Sequence, residues 1–122
     1  MISRKLLLLL TIFVYLNLMD IYTTVVILEL GGKEINPLWD RFNSSGITEA
    51  DIALKLSLTG LSVFIISLLY SYASNHNSTV GVTVSYFILI VLIFYYSGII
   101  INNVRMLNFQ IQEVQRVLEE IL

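Results

Sequence analysis

The sequence predicts an all-α membrane protein with three transmembrane helices and a helical C-terminal extension of the third. Two observations predict this fold class. Of the 122 residues, 57% are hydrophobic and only 13% are charged, whereas soluble domains average about 45–50% apolar and about 25% charged residues. In addition, three nearly uncharged segments each reach the roughly 20 apolar residues that a helix needs to cross a bilayer. A chain of this length makes one domain.

The first segment covers about residues 6–30, and it follows the basic pair Arg4-Lys5. A basic start is also typical of a secretory signal peptide. The apolar run is too long for a signal peptide, however, and no small-residue cleavage site follows it. We therefore predict a first transmembrane helix, and we expect it to end at Gly31-Gly32 because glycine readily adopts the positive φ of a helix C-terminus.

The second and third segments cover about residues 52–72 and 80–101. The polar connection between them, residues 73–79, is short, so the two helices should be antiparallel neighbours. After the third segment the sequence becomes amphipathic without an intervening Gly or Pro, which predicts that this helix continues out of the membrane. The chain is thus predicted to consist of a transmembrane bundle, residues 1–103, and an amphipathic heptad helix, residues 104–122, continuous with helix three.

The C-terminal extension has apolar residues at alternating spacings of three and four, the pattern of a coiled-coil seam. We call these residues the seam: Val104, Leu107, Ile111, Val114, Leu118 and Ile121. Two interpretations stay open. The seam contacts another chain, which predicts a homo-oligomer or a subunit of a membrane complex, or the helix folds against its own chain or lies on the membrane surface.

Polar residues concentrate in one half of the predicted bundle. Asn17, Asp20 and Thr24 share one face of helix one because they are three and four residues apart, and Lys55, Thr59 and Ser62 do the same on helix two. An ionisable residue inside a membrane segment marks a functional site by default. With three crossings, the end of helix one, the start of helix two and the end of helix three lie on one side of the membrane. The predicted polar cluster therefore comprises Asn17, Asp20, Thr24, Glu34, Asn36, Lys55, Asn102 and Asn103.

Four stretches together resemble an uncharacterised family of small prokaryotic, often archaeal, polytopic membrane proteins. These stretches are Asn17-x-x-Asp20-x-x-x-Thr24, Glu34-x-Asn36-Pro37, Ala53-Leu54-Lys55 and Asn102-Asn103. The resemblance covers roughly residues 10–105, and the seam extends beyond it. It implies a fold of three or four membrane helices with a polar cluster to which all of them contribute. It implies no activity.

The polar cluster permits a structural, a ligand-binding and a catalytic interpretation. In the structural one, Asp20 and Lys55 form a buried ion pair and asparagines bridge the helices. In the second, Asp20, Glu34 and Asn36 supply oxygens to a hard cation or a proton pathway, although such ions prefer six or more oxygen ligands. The catalytic interpretation lacks a nucleophile with an adjacent base, and the single histidine, His76, lies in the opposite loop.

Composition excludes further classes of site. The chain has no cysteine, which excludes disulfides, thiolate metal sites and a cysteine nucleophile. Its net charge of −2 does not indicate the excess of basic residues that is typical of nucleic-acid-binding proteins. We expect no catalytic residue, no metal and no cofactor, and the lipid bilayer and other membrane chains as partners.

The sequence therefore predicts a small, non-enzymatic subunit or self-associating scaffold of a larger membrane assembly. We expect it to be a multi-pass protein integral to the cell (cytoplasmic) membrane. The alternative is a small ion- or solute-binding or transport protein that uses the polar cluster, and a lesser alternative is an intramembrane enzyme.

Overall fold

The computed structural model describes residues 3–29 and 49–122. These residues form three α-helices: α1, Arg4–Glu29; α2, Glu49–Asn75; and α3, Thr79–Ile121. No strand occurs in these two ranges. All three helices are long and apolar enough to cross a membrane. The predicted fold class is confirmed, since the protein is an all-α membrane protein with three such helices and a helical extension of the third.

The lengths of the helices separate α3 from the other two. α1 and α2 have 26 and 27 residues, so each is about 40 Å long at about 1.5 Å per residue. α3 has 43 residues and is therefore about 64 Å long, roughly twice the thickness of a hydrocarbon core of about 30 Å. A single unbroken helix thus both crosses the membrane and leaves it.

A tight turn joins α2 to α3. Asn77 has a positive φ of 53°, and the Ser78 N–H donates to the Ala73 carbonyl at 2.8 Å. The Ser78 hydroxyl then accepts a hydrogen bond from the Gly81 N–H at 3.1 Å, which caps the start of α3. A Cβ atom at Gly81 would lie only 2.6 Å from the Cβ of Ala73. Glycine is needed here because the two helices approach closely beside the turn.

The half of the bundle that includes this turn is held together by apolar contacts, and we call it the apolar half. α3 packs against both α1 and α2, whereas α1 and α2 contact each other least. At the end of this half, the hydroxyls of Ser3 and Tyr86 form a hydrogen bond at 2.7 Å, and the Tyr86 ring meets Tyr70 edge to face. The buried core residues are Leu6, Leu10, Phe13, Ile66, Tyr70 and Leu89.

The far end of α3 continues past the other two helices as one helix to Ile121. The described part of the chain does not cover the seam there. Leu107 is half-buried, and the other seam residues are between 42% and 72% exposed: Val104, Ile111, Val114, Leu118 and Ile121. One side of the extension is half-buried, at Met106, Leu107, Gln110 and Glu113, whereas every residue from Val114 to Leu122 is exposed.

Candidate functional site

The other half of the bundle, the polar half, is built around one ion pair between α1 and α2. Lys55 Nζ lies 3.2 Å from Asp20 Oδ2, and the two side chains are 5% and 1% exposed. Removing a charge from water costs several kcal/mol per ion, about as much as a well-formed partner can return. Each of these two charges therefore stabilises the other in the interior of the bundle. The pair joins the two helices that otherwise contact each other least.

The positions of the two residues along their helices explain why they meet. Asp20 precedes the last residue of α1, Glu29, by nine positions, and Lys55 follows the first residue of α2, Glu49, by six. At about 1.5 Å per residue these offsets are about 14 Å and about 9 Å. The Lys55 side chain is long enough to bridge the difference by extending inward rather than towards the end of its helix.

α3 joins the ion pair through Asn103, which is 1% exposed. Its Nδ2 donates to Asp20 Oδ1 at 3.2 Å and to Thr23 Oγ1 at 2.9 Å. The Thr24 hydroxyl donates to the same Asp20 oxygen at 3.4 Å. All three helices therefore meet at one carboxylate.

The amide oxygen of Asn103 is buried and has no hydrogen-bond partner among the residues that the structure describes. Exchanging the amide oxygen and nitrogen would not repair this, because it would place one acceptor against the carboxylate of Asp20, which when ionised is acceptor-only. The nitrogen must face Asp20. The described residues of the polar half thus leave one buried acceptor without a donor.

One helical turn away, a second contact links α1 and α2. The Thr59 hydroxyl lies 3.1 Å from Asn17 Oδ1 and 2.9 Å from its own helix carbonyl at Lys55. A hydroxyl has one proton, so it donates to only one of these oxygens at a time. Asn17 Nδ2 donates to the Phe13 carbonyl at 2.8 Å, which holds the amide oxygen towards α2.

The structure brings together part of the predicted polar cluster. Five of its residues lie in the polar half: Asn17, Asp20, Thr24, Lys55 and Asn103. Asn102 does not join them. It is exposed and lies beside Arg105 and Phe109, because neighbouring helical residues point about 100° apart and only one of the two asparagines can face α1. The remaining two predicted members, Glu34 and Asn36, lie outside the described residues.

Thr23 was missed from the sequence, and Thr59 was placed on the Lys55 face without being assigned to the cluster. Thr23 is 3% exposed, and its hydroxyl accepts from Asn103 while it donates to the Met19 carbonyl. Its spacing of three from Asp20 was the available signal, since such residues share a helix face. Ser62, on the same predicted face as Thr59, donates only to its own helix at the Leu58 carbonyl.

The described residues of the polar half contact one another by hydrogen bonding and charge pairing. Residues 3–29 and 49–122 contain no group of three or more His, Cys, Asp and Glu residues placed to hold a metal ion. His76 lies in the turn beside the apolar half, where its ring stacks on Tyr72 at 4.1 Å. This arrangement can fix the register of three helices and can offer one acceptor to a small donor.

Comparison with known proteins places these residues in a family. A protein-family model described as a domain of unknown function (DUF5658) matches residues 11–109. The matched range begins in α1, contains the whole polar cluster and ends within the extension of α3, so most of the seam lies beyond it. No curated protein and no solved structure matches the chain. The resemblance to an uncharacterised family is confirmed at that level.

Proposed function

The chain belongs to the DUF5658 family, a domain family of unknown function, and we propose from its geometry that it is a non-enzymatic membrane scaffold or subunit. In this proposal the bundle anchors and orients α3. The extension of α3 then assembles chains outside the bilayer. The observation that carries the proposal is the seam, which is exposed on a helix that runs unbroken to Ile121.

The length of α3 supports a role outside the membrane. If about 20 residues of α3 cross the hydrocarbon core, a similar number remain for the extension. Isolated helices of that length are marginal in water, and most helical stability in proteins comes from packing of an apolar face. A single copy leaves seam residues such as Val114 and Leu118 about half exposed. Another chain that covered them would stabilise the extension.

The polar half supports a role in orienting α3. Interhelical hydrogen bonds in membranes are worth about 0.6 kcal/mol on average, so their main effect is on the choice of arrangement rather than on total stability. Asn103 is hydrogen-bonded to α1 through Asp20 and Thr23, and the seam begins at the next residue, Val104. The direction in which the extension leaves the bundle is therefore set by the polar half.

We also propose the location and origin that the sequence favours. The three candidate membrane spans support a multi-pass protein, and we place it in the cell (cytoplasmic) membrane. The motif pattern from Asn17 to Asn103 supports membership of a group of small prokaryotic, often archaeal, proteins.

Native mass spectrometry of the detergent-solubilised protein tests the proposed function. We expect an assembly larger than one chain, and we expect deletion of residues 108–122 to reduce it to single chains that still insert in the membrane. The matched control is Gln112→Ala with Glu119→Ala, on the polar side of the extension, which should leave the assembly unchanged. An assembly that keeps its mass after the deletion would overturn the proposal.

The free acceptor on Asn103 supports the second candidate function, which is ion or solute binding. The Asp20–Lys55 pair is already neutral overall, so a small neutral donor suits this site better than an added positive charge. Thermal unfolding in NaCl, KCl and N-methylglucamine chloride tests the ionic case. A ligand present at 100 times its Kd stabilises the folded state by about 2.7 kcal/mol, so equal midpoints in the three salts, for the protein and for Asn103→Leu alike, would exclude Na⁺ and K⁺.

A further inference from the structure

We infer that the partner covering the seam is a second copy of this chain, parallel to the first and in register with it. This inference rests on the proposed function, because it names the partner of the same surface. Three observations carry it: the direction that the bundle imposes on α3, the uncharged residues that flank the seam, and the self-contained charges on the opposite side of the extension.

The membrane gives two copies of α3 the same direction. Copies of one protein that insert in the same orientation have their extensions on the same side, both pointing away from the bilayer. The extension is continuous with the membrane-spanning part of α3, so two neighbouring copies leave the membrane side by side. In a parallel, in-register pair each seam residue lies against the same residue of the other chain.

The residues beside the seam carry no charge. If Val104, Ile111 and Leu118 occupy the first position of each heptad, the flanking positions are Asn108, Gln110, Gln115, Val117 and Leu122. In a parallel pair, residues at these positions face the other chain and usually select the partner by charge. Identical copies would place matching residues around the same seam, so like charges concentrated there would hinder self-pairing. Uncharged residues at these positions permit self-pairing and offer no charge by which a different partner would be selected.

Glutamine is suited to this self-pairing. Gln110 of one chain would face Gln115 of the other, at the spacing that parallel coiled coils use for contacts across the seam. In the single chain Gln110 is half-buried, and its Oε1 has no hydrogen-bond partner among the described residues, so a small rotation of this side chain would bring that oxygen to a donor of the other chain. Each amide has both donors and an acceptor, so two glutamines satisfy one another in either direction. Because a homodimer has this contact on both sides of the seam, the same two residues would be used twice.

The charged residues of the extension lie away from the seam, and three of them, Glu113, Arg116 and Glu120, pair within their own helix. Arg116 contacts Glu113 at 3.0 Å and Glu120 at 3.4 Å, and its side chain is 61% exposed. These groups are therefore already engaged along the helix, on the side facing solvent. A partner subunit chosen by complementary charge would need free charges next to the seam, and the sequence has none at the flanking positions from Asn108 onward.

Single cysteine variants in native membranes test the inference directly, since the natural chain has no cysteine. A disulfide needs Cβ atoms about 3.5–4.5 Å apart, so Ile111→Cys and Val114→Cys should form roughly tenfold more covalent dimer on mild oxidation than Gln112→Cys or Glu119→Cys. Non-reducing gels of the membranes measure the dimer. Equal cross-linking on the two sides of the helix would indicate random collision and would overturn the inference.

Charge at the flanking positions gives a second readout in the Val114→Cys background. Gln110→Glu with Gln115→Glu should reduce the covalent dimer several-fold by repulsion. Gln110→Glu with Gln115→Lys should restore it, because the parallel register places the opposite charges together. A reduced dimer in both variants would show that these two residues do not face each other.

The failure of this inference can be distinguished from failure of the proposed function. If deletion of residues 108–122 dissolves the assembly while Val114→Cys forms no covalent dimer, a different subunit covers the seam. The proposed function then stands and this inference falls. If the deletion leaves the assembly intact, both fall.

Discussion

The two halves of the bundle hold the same three helices together by different means. In the apolar half, side chains such as Phe13 and Leu89 are buried against other apolar side chains. In the polar half, Asp20, Lys55 and Asn103 are buried to a similar degree, and they contact one another through charge and hydrogen bonds that leave only the Asn103 amide oxygen without a partner among the described residues. The two kinds of contact respond differently to the lipid that surrounds them.

Lipid tails are as apolar as leucine, so an apolar residue gains from burial in a membrane bundle mainly by closer packing. Another residue of similar volume can replace it, and a small rotation of the helix keeps most of the contact. A charged residue does not tolerate such a replacement or rotation, because exposing its charge to lipid is costly. The apolar half therefore contributes packing, and the polar half selects one arrangement of the helices. Substitutions that change side-chain volume and substitutions that conserve it should therefore affect the two halves differently.

The largest effect is expected from breaking the ion pair without changing its shape. Asp20→Asn preserves volume but removes the carboxylate charge that faces Lys55 Nζ at 3.2 Å, and removing one member of a buried pair costs about 3–5 kcal/mol. We expect a loss of that size in the free energy of unfolding, measured by reversible denaturation in mixed micelles. The control is Glu119→Gln, the same kind of change at an exposed position, which should have almost no effect. Equal changes in the free energy of unfolding for Asp20→Asn and Glu119→Gln would mean that the buried ion pair contributes no more than an exposed carboxylate does.

The double variant Asp20→Leu with Lys55→Met sharpens this test. Replacing a whole buried pair by apolar residues is often neutral or even stabilising by about 1–4 kcal/mol. We therefore expect the double variant to recover most of the stability that each single variant loses. Its assembly should nevertheless become heterogeneous if the polar half selects the direction of α3. A double variant as unstable as the sum of its singles would show that the two charges act independently.

A smaller effect is expected in the apolar half, and it should depend on volume. Leu89 is fully buried, and Leu→Ala changes in protein cores cost about 2–5 kcal/mol. We expect Leu89→Ala to lower the free energy of unfolding by about 2 kcal/mol, the low end of this range, because lipid provides no hydrophobic penalty for exposure. Leu89→Met, which conserves volume, should cost less than about 1.5 kcal/mol. Leu89→Met and Asp20→Asn both conserve side-chain volume, and each changes one half of the bundle. Equal losses in the free energy of unfolding for these two variants would show that the two halves do not differ in this respect.

The sequence predicted the centre of the polar half because charges inside apolar segments are rare. Asp20 and Lys55 could be paired from their positions near the same membrane side. Asn102 and Asn103 could not be told apart, since the choice depends on how α3 is rotated about its axis. Thr23 could not be distinguished from Thr24 for a similar reason, since that choice depends on how α1 is rotated about its axis. The absence of Gly and Pro after Ile101 predicted the long α3, whereas the partner of the seam depends on another molecule's surface.

The smallest effect is expected from a substitution at Thr59, because one of the two groups that its hydroxyl contacts belongs to its own helix. Thr59→Val keeps the shape of the side chain and removes the hydroxyl, which lies near both Asn17 Oδ1 and the Lys55 carbonyl. The carbonyl keeps its helical hydrogen bond, so the loss is the single contact to Asn17. Interhelical hydrogen bonds in membranes average about 0.6 kcal/mol, and we expect a destabilisation of about that size by the same denaturation measurement.

Ser62→Ala is the matched control for Thr59→Val, because the Ser62 hydroxyl contacts only the Leu58 carbonyl of its own helix. It should change the free energy of unfolding by less than Thr59→Val does. Combining Thr59→Val with Asn17→Leu should cost little more than Asn17→Leu alone, since the contact is already lost once Asn17 is replaced. Strictly additive costs would show that the two side chains do not interact, and that α1 and α2 are joined in the polar half by the Asp20–Lys55 pair without help from this second contact.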